Sequence, residues 1–211
     1  MLVRKPLTRS QRGFRLKYPS LKLGRMVACE SPLEGDLAVL LEFSSGVLSY
    51  QEQPALIEYW DGEQIRQYFP DFEIRLVDGT RAHLEAKSST KLAKPKIAAK
   101  FRAIAEHYRR SGKQFRIVTE LEVRREPLRS NVRKLNYLRR RRRLEPHTTD
   151  VLLRILGHDP QPLAFVEGCL GRPTTWQLLA VGRLACDLTQ GINPNTPVWV
   201  VQGGRHAAVL I

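Results

Sequence analysis

Residues 68–87 read YFPDFEIRLVDGTRAHLEAK, and the fold turns on how this stretch is paired. Pro70-Asp71 opens a strand in which Phe72, Ile74 and Leu76 alternate with Glu73 and Arg75, the two-residue period of a half-buried strand. Asp78-Gly79 is a hairpin-turn dipeptide. Beyond it Ala82, Leu84 and Ala86 share one face and His83, Glu85 and Lys87 the other. Glu85 and Lys87 therefore point the same way, about 7 Å apart along the strand. The position of Asp71 depends on the turn. A two-residue loop at 78–79 pairs Val77 with Thr80 and sets Asp71 opposite Ala86, on the wrong face. A three-residue loop at 77–79, with Gly79 left-handed as a bulge, pairs Leu76 with Thr80 and sets Asp71 opposite Glu85. We adopt the bulged form, in which two carboxylates and a lysine converge.

Two carboxylates on rigid neighbouring strands make a hard oxygen site suited to Mg²⁺. Such an ion polarises a phosphodiester and acidifies a bound water. A lysine two residues on can orient that water or meet developing negative charge. The hairpin alone also admits a plainer reading, with Glu73, Arg75, Glu85 and Lys87 as solvated cross-strand partners.

Working outward, the 211 residues make one large or two small domains. Lys and Arg number 35 against 21 Asp and Glu, a net charge of +14 that calls for a polyanionic partner, nucleic acid first. No apolar run is long enough to span a membrane and no signal-peptide core opens the chain, so a cytoplasmic protein is expected. Cys29, Cys169 and Cys186 are isolated and odd in number, which points to reduced core thiols rather than zinc or disulfides.

Residues 1–28 are basic and without a clear period, and suggest an extended arm. Ser31, Pro32 and Glu34 form a helix start, with Ser31 as N-cap and Glu34 at the third helical position. Leu33, Leu37, Leu40 and Leu41 supply the apolar stripe. Glu34 has two readings, a cap or a third carboxylate at the metal site. Strands are expected at 47–50, 55–60 and 65–69, and a loop at 88–90. Pro95 opens a helix carrying Ile97, Phe101, Ile104, Ala105 and Tyr108 on one face and Lys96, Lys100 and Arg102 elsewhere, ended by Gly112. A short buried strand follows at 115–119. The order of elements gives an α/β fold, a mixed sheet flanked by helices.

Residues 124–143 are the most basic segment. Val132, Leu135 and Leu138 suggest a linker helix running into five consecutive arginines, Arg139, Arg140, Arg141, Arg142 and Arg143. With Arg133 and Lys134 these are candidates to neutralise phosphates, as are Lys96 and Lys100. In 148–211, helices at 151–156 and 163–170, a third capped by Thr174 or Thr175, and a hairpin pairing 184–188 with 198–201 suggest a winged-helix module. Its third helix carries few basic residues, so DNA reading and protein docking both stand.

Several segments together resemble the TnsA family, the endonuclease subunit of heteromeric transposases. They are YPSLKLGRMV, ESPLEGDLAVLLEF, YQEQPALIEYW, YFPDFEIRLVDGTRAHLEAK and RIVTE, in the family's order. The resemblance implies a restriction-endonuclease-like domain of the PD-(D/E)xK superfamily at 29–123, a basic linker helix at 124–147 and a winged-helix-like C-terminal domain at 148–211. It matches Glu34 to the helix glutamate of the active site, Asp71 to the aspartate of the PD element, and Glu85 and Lys87 to the last two catalytic positions. It implies Mg²⁺, with Mn²⁺ as substitute, held by Asp71, Glu85, Glu34 and the Ala86 carbonyl. The implied task is hydrolysis of the 5′ (non-transferred) strands at double-stranded transposon ends in a bacterial, nucleoid-associated setting. The implied partners are a DDE-type transposase and an AAA+ ATPase regulator. A stand-alone restriction or repair nuclease, and a non-catalytic DNA-binding assembly subunit, are the alternatives.

Overall fold

The computed structural model describes residues 16–139 and 149–202. The chain divides into two compact units after Arg124. Of the five consecutive arginines nominated as phosphate contacts, only Arg139 falls within this range; Arg140, Arg141, Arg142 and Arg143 lie outside the described residues.

The N-terminal unit starts with a hairpin, β1 (Leu16–Ser20) and β2 (Arg25–Cys29). Where the sequence suggests an arm throughout 1–28, residues 16–28 instead belong to this hairpin. Basic residues on its outer face hide the period, while Tyr18 and Val27 point inward and are buried. Helix α1 (Pro32–Phe43) follows, with Ser31 as N-cap accepting the Glu34 N–H and Pro at its start. Next come β3 (Val47–Glu52), then β4 (Ile57–Trp60) and β5 (Ile65–Tyr68), which pair with each other as a two-stranded sheet. The central hairpin is β6 (Phe72–Leu76) and β7 (Arg81–Ala86). The loop expected at 88–90 is largely a helical turn, α2 (Ser89–Leu92). Helix α3 (Pro95–Arg110), strand β8 (Gln114–Val118) and the short α4 (Glu120–Val123) complete the unit.

The main sheet has the order β3-β6-β7-β8, antiparallel except for the parallel β7–β8 pair. A mixed sheet of this kind with helices packed on it is compatible with a restriction-endonuclease-like fold. Its two faces differ. Tyr50, Phe72, Ile74 and Leu84 line one, buried, and the Tyr50 hydroxyl reaches Glu42 of α1 at 2.9 Å. Glu73, His83 and Glu85 line the other, with Phe115 and Ile117 of β8. There Ile57, Tyr59 and Tyr68 of the small hairpin and Phe101, Ile104 and Tyr108 of α3 form a cluster over them.

The C-terminal unit begins with α5 (Leu128–Arg139), which buries Leu128, Val132 and Leu135 within this unit rather than standing as a free linker. Its Asn131 side chain donates to the Leu188 and Gln190 carbonyls, and its Lys134 ammonium lies 3.3 Å above the Trp176 ring. Then come α6 (Thr149–Leu156), the two-residue β9 (Gln161–Pro162), α7 (Leu163–Leu170), α8 (Arg172–Ala180), β10 (Leu184–Cys186) and β11 (Pro197–Val200). The sheet order is β10-β11-β9. Helix α8 starts from Gly171, not from a threonine cap: Thr175 lies inside it, its hydroxyl donating to the Gly171 carbonyl at 3.0 Å. The cysteines are unpaired. Cys29 and Cys186 are buried, but Cys169 is exposed and so is not the core thiol the sequence suggests. No described helix is long and apolar enough to cross a membrane.

Candidate active site

The β6–β7 turn settles where Asp71 lies. Arg75 pairs with Arg81, the Leu76 N–H donates to the Thr80 carbonyl at 2.8 Å, and the Gly79 N–H donates to the Leu76 carbonyl at 3.0 Å. The loop is therefore the three-residue form, with Gly79 at φ +88°, a conformation a side chain would strain. Phe72 pairs with Leu84, so one step further Asp71 stands opposite Glu85. Asp71 Oδ2 accepts the Ala86 N–H at 2.8 Å, and the Asp71 carbonyl accepts the Gln53 N–H at 2.9 Å. The aspartate is thus pinned from two sides. Ala86, whose carbonyl the sequence nominates as a ligand, meets Asp71 through its N–H.

Glu85 is 4% exposed, and both its oxygens are engaged. The Tyr68 hydroxyl donates to Oε2 at 2.7 Å, and the Lys87 ammonium lies 2.7 Å from Oε1. Burial and the Glu85 charge push the Tyr68 hydroxyl far up, so it stays a donor. Burial works against the Lys87 ammonium, but the Glu85, Asp71 and Glu34 carboxylates outweigh it and raise its pKa. Lys87 thus stays charged at neutral pH.

Glu34 meets this group from the first turn of α1. One of its oxygens accepts the Glu30 N–H at 2.6 Å, so it does cap the chain entering the helix. Its charge is also felt by Asp71 and Lys87. Capping and proximity to the acidic pair therefore coexist, with the capping bond directed to Glu30. Burial, followed by the charges of Glu85 and Glu34, holds the Asp71 carboxyl well above the usual carboxylate range. Burial, with the charges of Glu30 and Glu85, raises Glu34 against the pull of the Glu30 N–H. Among the described residues, no three His, Cys, Asp or Glu side chains already enclose a metal-sized point. The donor chemistry still fits a hard divalent cation. Mg²⁺ is commonly held by one or two carboxylates with waters and substrate phosphates completing its shell. The mutual repulsion of Asp71, Glu85 and Glu34 is the electrostatic condition that a cation relieves.

On the same sheet face, His83 Nδ1 lies 2.5 Å from the Tyr108 hydroxyl and Nε2 lies 3.2 Å from Glu73. Burial lowers the His83 pKa despite Glu73, so the ring is neutral, its Nε2–H donating to Glu73 and its Nδ1 accepting from Tyr108.

The nominated phosphate contacts are scattered. Lys96 and Lys100 are on α3, Lys100 exposed with its ammonium 5.5 Å from both the Tyr68 and Phe101 ring centres. Arg133 is exposed on α5. Lys134 is exposed, with its ammonium over the Trp176 ring, and Arg139 is 9% exposed. The expectation for Arg140, Arg141, Arg142 and Arg143 concerns positions outside the described residues. Sequence reasoning passes over Tyr68, because nothing local marks an aromatic at a strand end as the partner of a glutamate 17 residues on.

A mixed sheet thus carries opposed carboxylates and a lysine at one end of its central hairpin. Residues 44–120 match the family model described as TnsA-like endonuclease N terminal, so this stretch is similar to the N-terminal domain of TnsA-like endonucleases. Asp71, Glu85 and Lys87 fall inside the match; Glu34 precedes it. No curated protein matches the chain.

Proposed function

We propose that this protein is a metal-dependent DNA endonuclease subunit of a transposase, hydrolysing the 5′ (non-transferred) strands at transposon ends. The observation that carries the reading is the pairing of Asp71 with Glu85 on adjoining strands of an endonuclease-family domain, with Glu34 close enough to raise the Asp71 pKa and Lys87 as the opposing cation. Asp71, Glu85 and Glu34, with the Ala86 carbonyl, would hold Mg²⁺ or Mn²⁺. A bound ion would supply Lewis-acid polarisation of the phosphodiester and acidification of water.

The chain's own residues divide the remaining work. The Ala86 N–H fixes the Asp71 carboxylate. Lys87 remains protonated beside it and can orient the attacking water or meet charge developing on phosphate oxygens. In-line displacement then leaves 5′-phosphate and 3′-hydroxyl ends. Lys96, Lys100, Arg133, Lys134 and the arginines Arg139, Arg140, Arg141, Arg142 and Arg143 contact the phosphate backbone, a salt-sensitive and sequence-independent contribution.

The partners are double-stranded transposon ends, a DDE-type transposase that cuts and joins the 3′ ends, and an AAA+ ATPase regulator, in a bacterial cytoplasm at the nucleoid. We read 29–123 as the endonuclease domain and 148–211 as winged-helix-like. The latter is supported by its order of helix, strand, two helices and two strands, the first strand pairing with the last. One observation favours protein docking for this unit over groove reading. Thr175 through Ala180 of α8 are all buried, which leaves little of that helix to enter a groove.

A strand-resolved cleavage assay on labelled transposon-end duplex with Mg²⁺ tests the reading. Cutting of the 5′ strand only with the partner transposase present supports it. Cutting by the protein alone makes it an independent nuclease. DNA binding without Asp71-dependent cutting in any mixture makes it an assembly subunit.

A further inference from the structure

Glu85 is held asymmetrically, and the asymmetry separates its two oxygens by role. The Oε2 partner is Tyr68, the last residue of β5, 4% exposed. The Tyr68 ring meets Phe101 at 6.3 Å and Phe115 at 6.2 Å between centroids, both edge-on at 87°. Its backbone pairs with Ile57 in the small hairpin, and Pro70 stiffens the link to Asp71. The hydroxyl therefore has little freedom to leave Glu85. The Oε1 partner is Lys87, a flexible side chain still 29% exposed, whose ammonium can find water or phosphate elsewhere.

We propose that Tyr68 is a positioning residue of the site: its hydroxyl fixes the Glu85 carboxylate through Oε2, so that Oε1 is the oxygen presented to a divalent cation when Lys87 gives it up. This rests on the reading of Glu85 as a metal ligand. Neutral Tyr68 suits the task because it restrains the carboxylate without cancelling its charge. Lys87 restrains it only by neutralising it, and so competes with a cation for the same oxygen. Partners that orient a metal ligand in this way typically contribute about 10–100-fold to metal affinity or activity.

The test is Mn²⁺ alone, titrated by calorimetry into the full chain as wild type, Tyr68→Phe, Phe101→Leu and Asp71→Asn, with the thermal midpoint of each metal-free protein measured in parallel. Tyr68→Phe keeps the ring and removes only the hydroxyl. We expect it to weaken Mn²⁺ binding about 10–100-fold with its midpoint near wild type. Phe101→Leu disturbs the packing around Tyr68, and should lower the midpoint while shifting Mn²⁺ affinity less than Tyr68→Phe does. Unchanged Mn²⁺ affinity in Tyr68→Phe, with binding lost in Asp71→Asn, overturns the role of Tyr68 and leaves the metal site standing. Mn²⁺ binding unchanged in both overturns the metal site and the proposal with it. Equal losses of affinity in Tyr68→Phe and Phe101→Leu reduce Tyr68 to a packing residue.

Discussion

The two faces of the central sheet treat charge in opposite ways. On the face that Phe72, Ile74 and Leu84 share, the buried carboxylate of Glu52 is closed bond for bond. Arg25 donates to both of its oxygens at 2.7 Å, and the Ala28 N–H adds a longer contact at 3.3 Å. That face is stable in itself, and its charge ties the β1–β2 hairpin to the sheet. On the other face Glu85 has one lysine, and Asp71 and Glu34 add negative charge that Lys87 does not fully offset. A fold selected only for stability has no reason to crowd carboxylates so that Asp71 and Glu34 are pushed above the usual range. The matched face builds the domain, and the unmatched one is where the proposed cation and phosphate would sit.

The contrast can be broken at several points. The largest effect is expected from Lys87→Ala. Cleavage should fall by at least about a hundredfold, while a gel-shift assay shows DNA binding close to wild type. Cutting at the wild-type rate would remove Lys87 from the chemistry. Next is Leu84→Ala on the matched face. The side chain is 1% exposed, so the loss should be about 2–5 kcal/mol in denaturant unfolding. Cleavage per folded molecule should be unchanged. Should Leu84→Ala instead spare stability and lose activity, the two faces would not divide as described.

Smaller and opposite in sign is Asp71→Asn, read as stability. A carboxyl whose folded pKa lies above its unfolded value weakens the fold as pH rises between the two. Removing that charge should raise the thermal midpoint of the metal-free protein at neutral pH. It should also abolish the gain wild type shows on adding Mg²⁺. The smallest effect belongs to His83, whose folded pKa lies below the ordinary value of 6.5. The unfolded chain takes up this proton first as pH falls. Stability from His83 is therefore complete above about 6.5 and is lost as pH drops below it toward the folded value. The raised carboxyls run the other way in acid, so the His83 contribution is the difference in pH slope between wild type and His83→Gln. A difference of zero would mean that the buried ring is protonated as easily as a free one.

Much of the unmatched face was legible in the sequence, because its geometry is local. The period-two alternation of 72–76 and 82–86 assigns faces, and a glycine at 79 permits the left-handed bulge that brings Asp71 opposite Glu85. The start of α1 was equally local, with Ser31, Pro32 and Glu34 inside one turn. What escaped depends on distant pairings. Tyr68 finds Glu85 only after β4–β5 folds over the sheet. The β1–β2 hairpin hides its inward Tyr18 and Val27 among basic residues. The stripe Leu128, Val132, Leu135 tells that a helix buries a face but not which partner covers it. Arg139, read as a phosphate contact from its charge, is buried because it continues that same stripe.

The central claim is that the crowded carboxylates are the hydrolytic site. Single-turnover cleavage of labelled transposon-end duplex, in whichever mixture wild type cuts, compares wild type with Asp71→Asn at equal DNA occupancy and saturating Mg²⁺. Loss of cutting by at least about a hundredfold in a variant as well folded as wild type is the expected result. Cutting by Asp71→Asn at the wild-type rate would contradict the claim and leave the unmatched charge without a catalytic purpose.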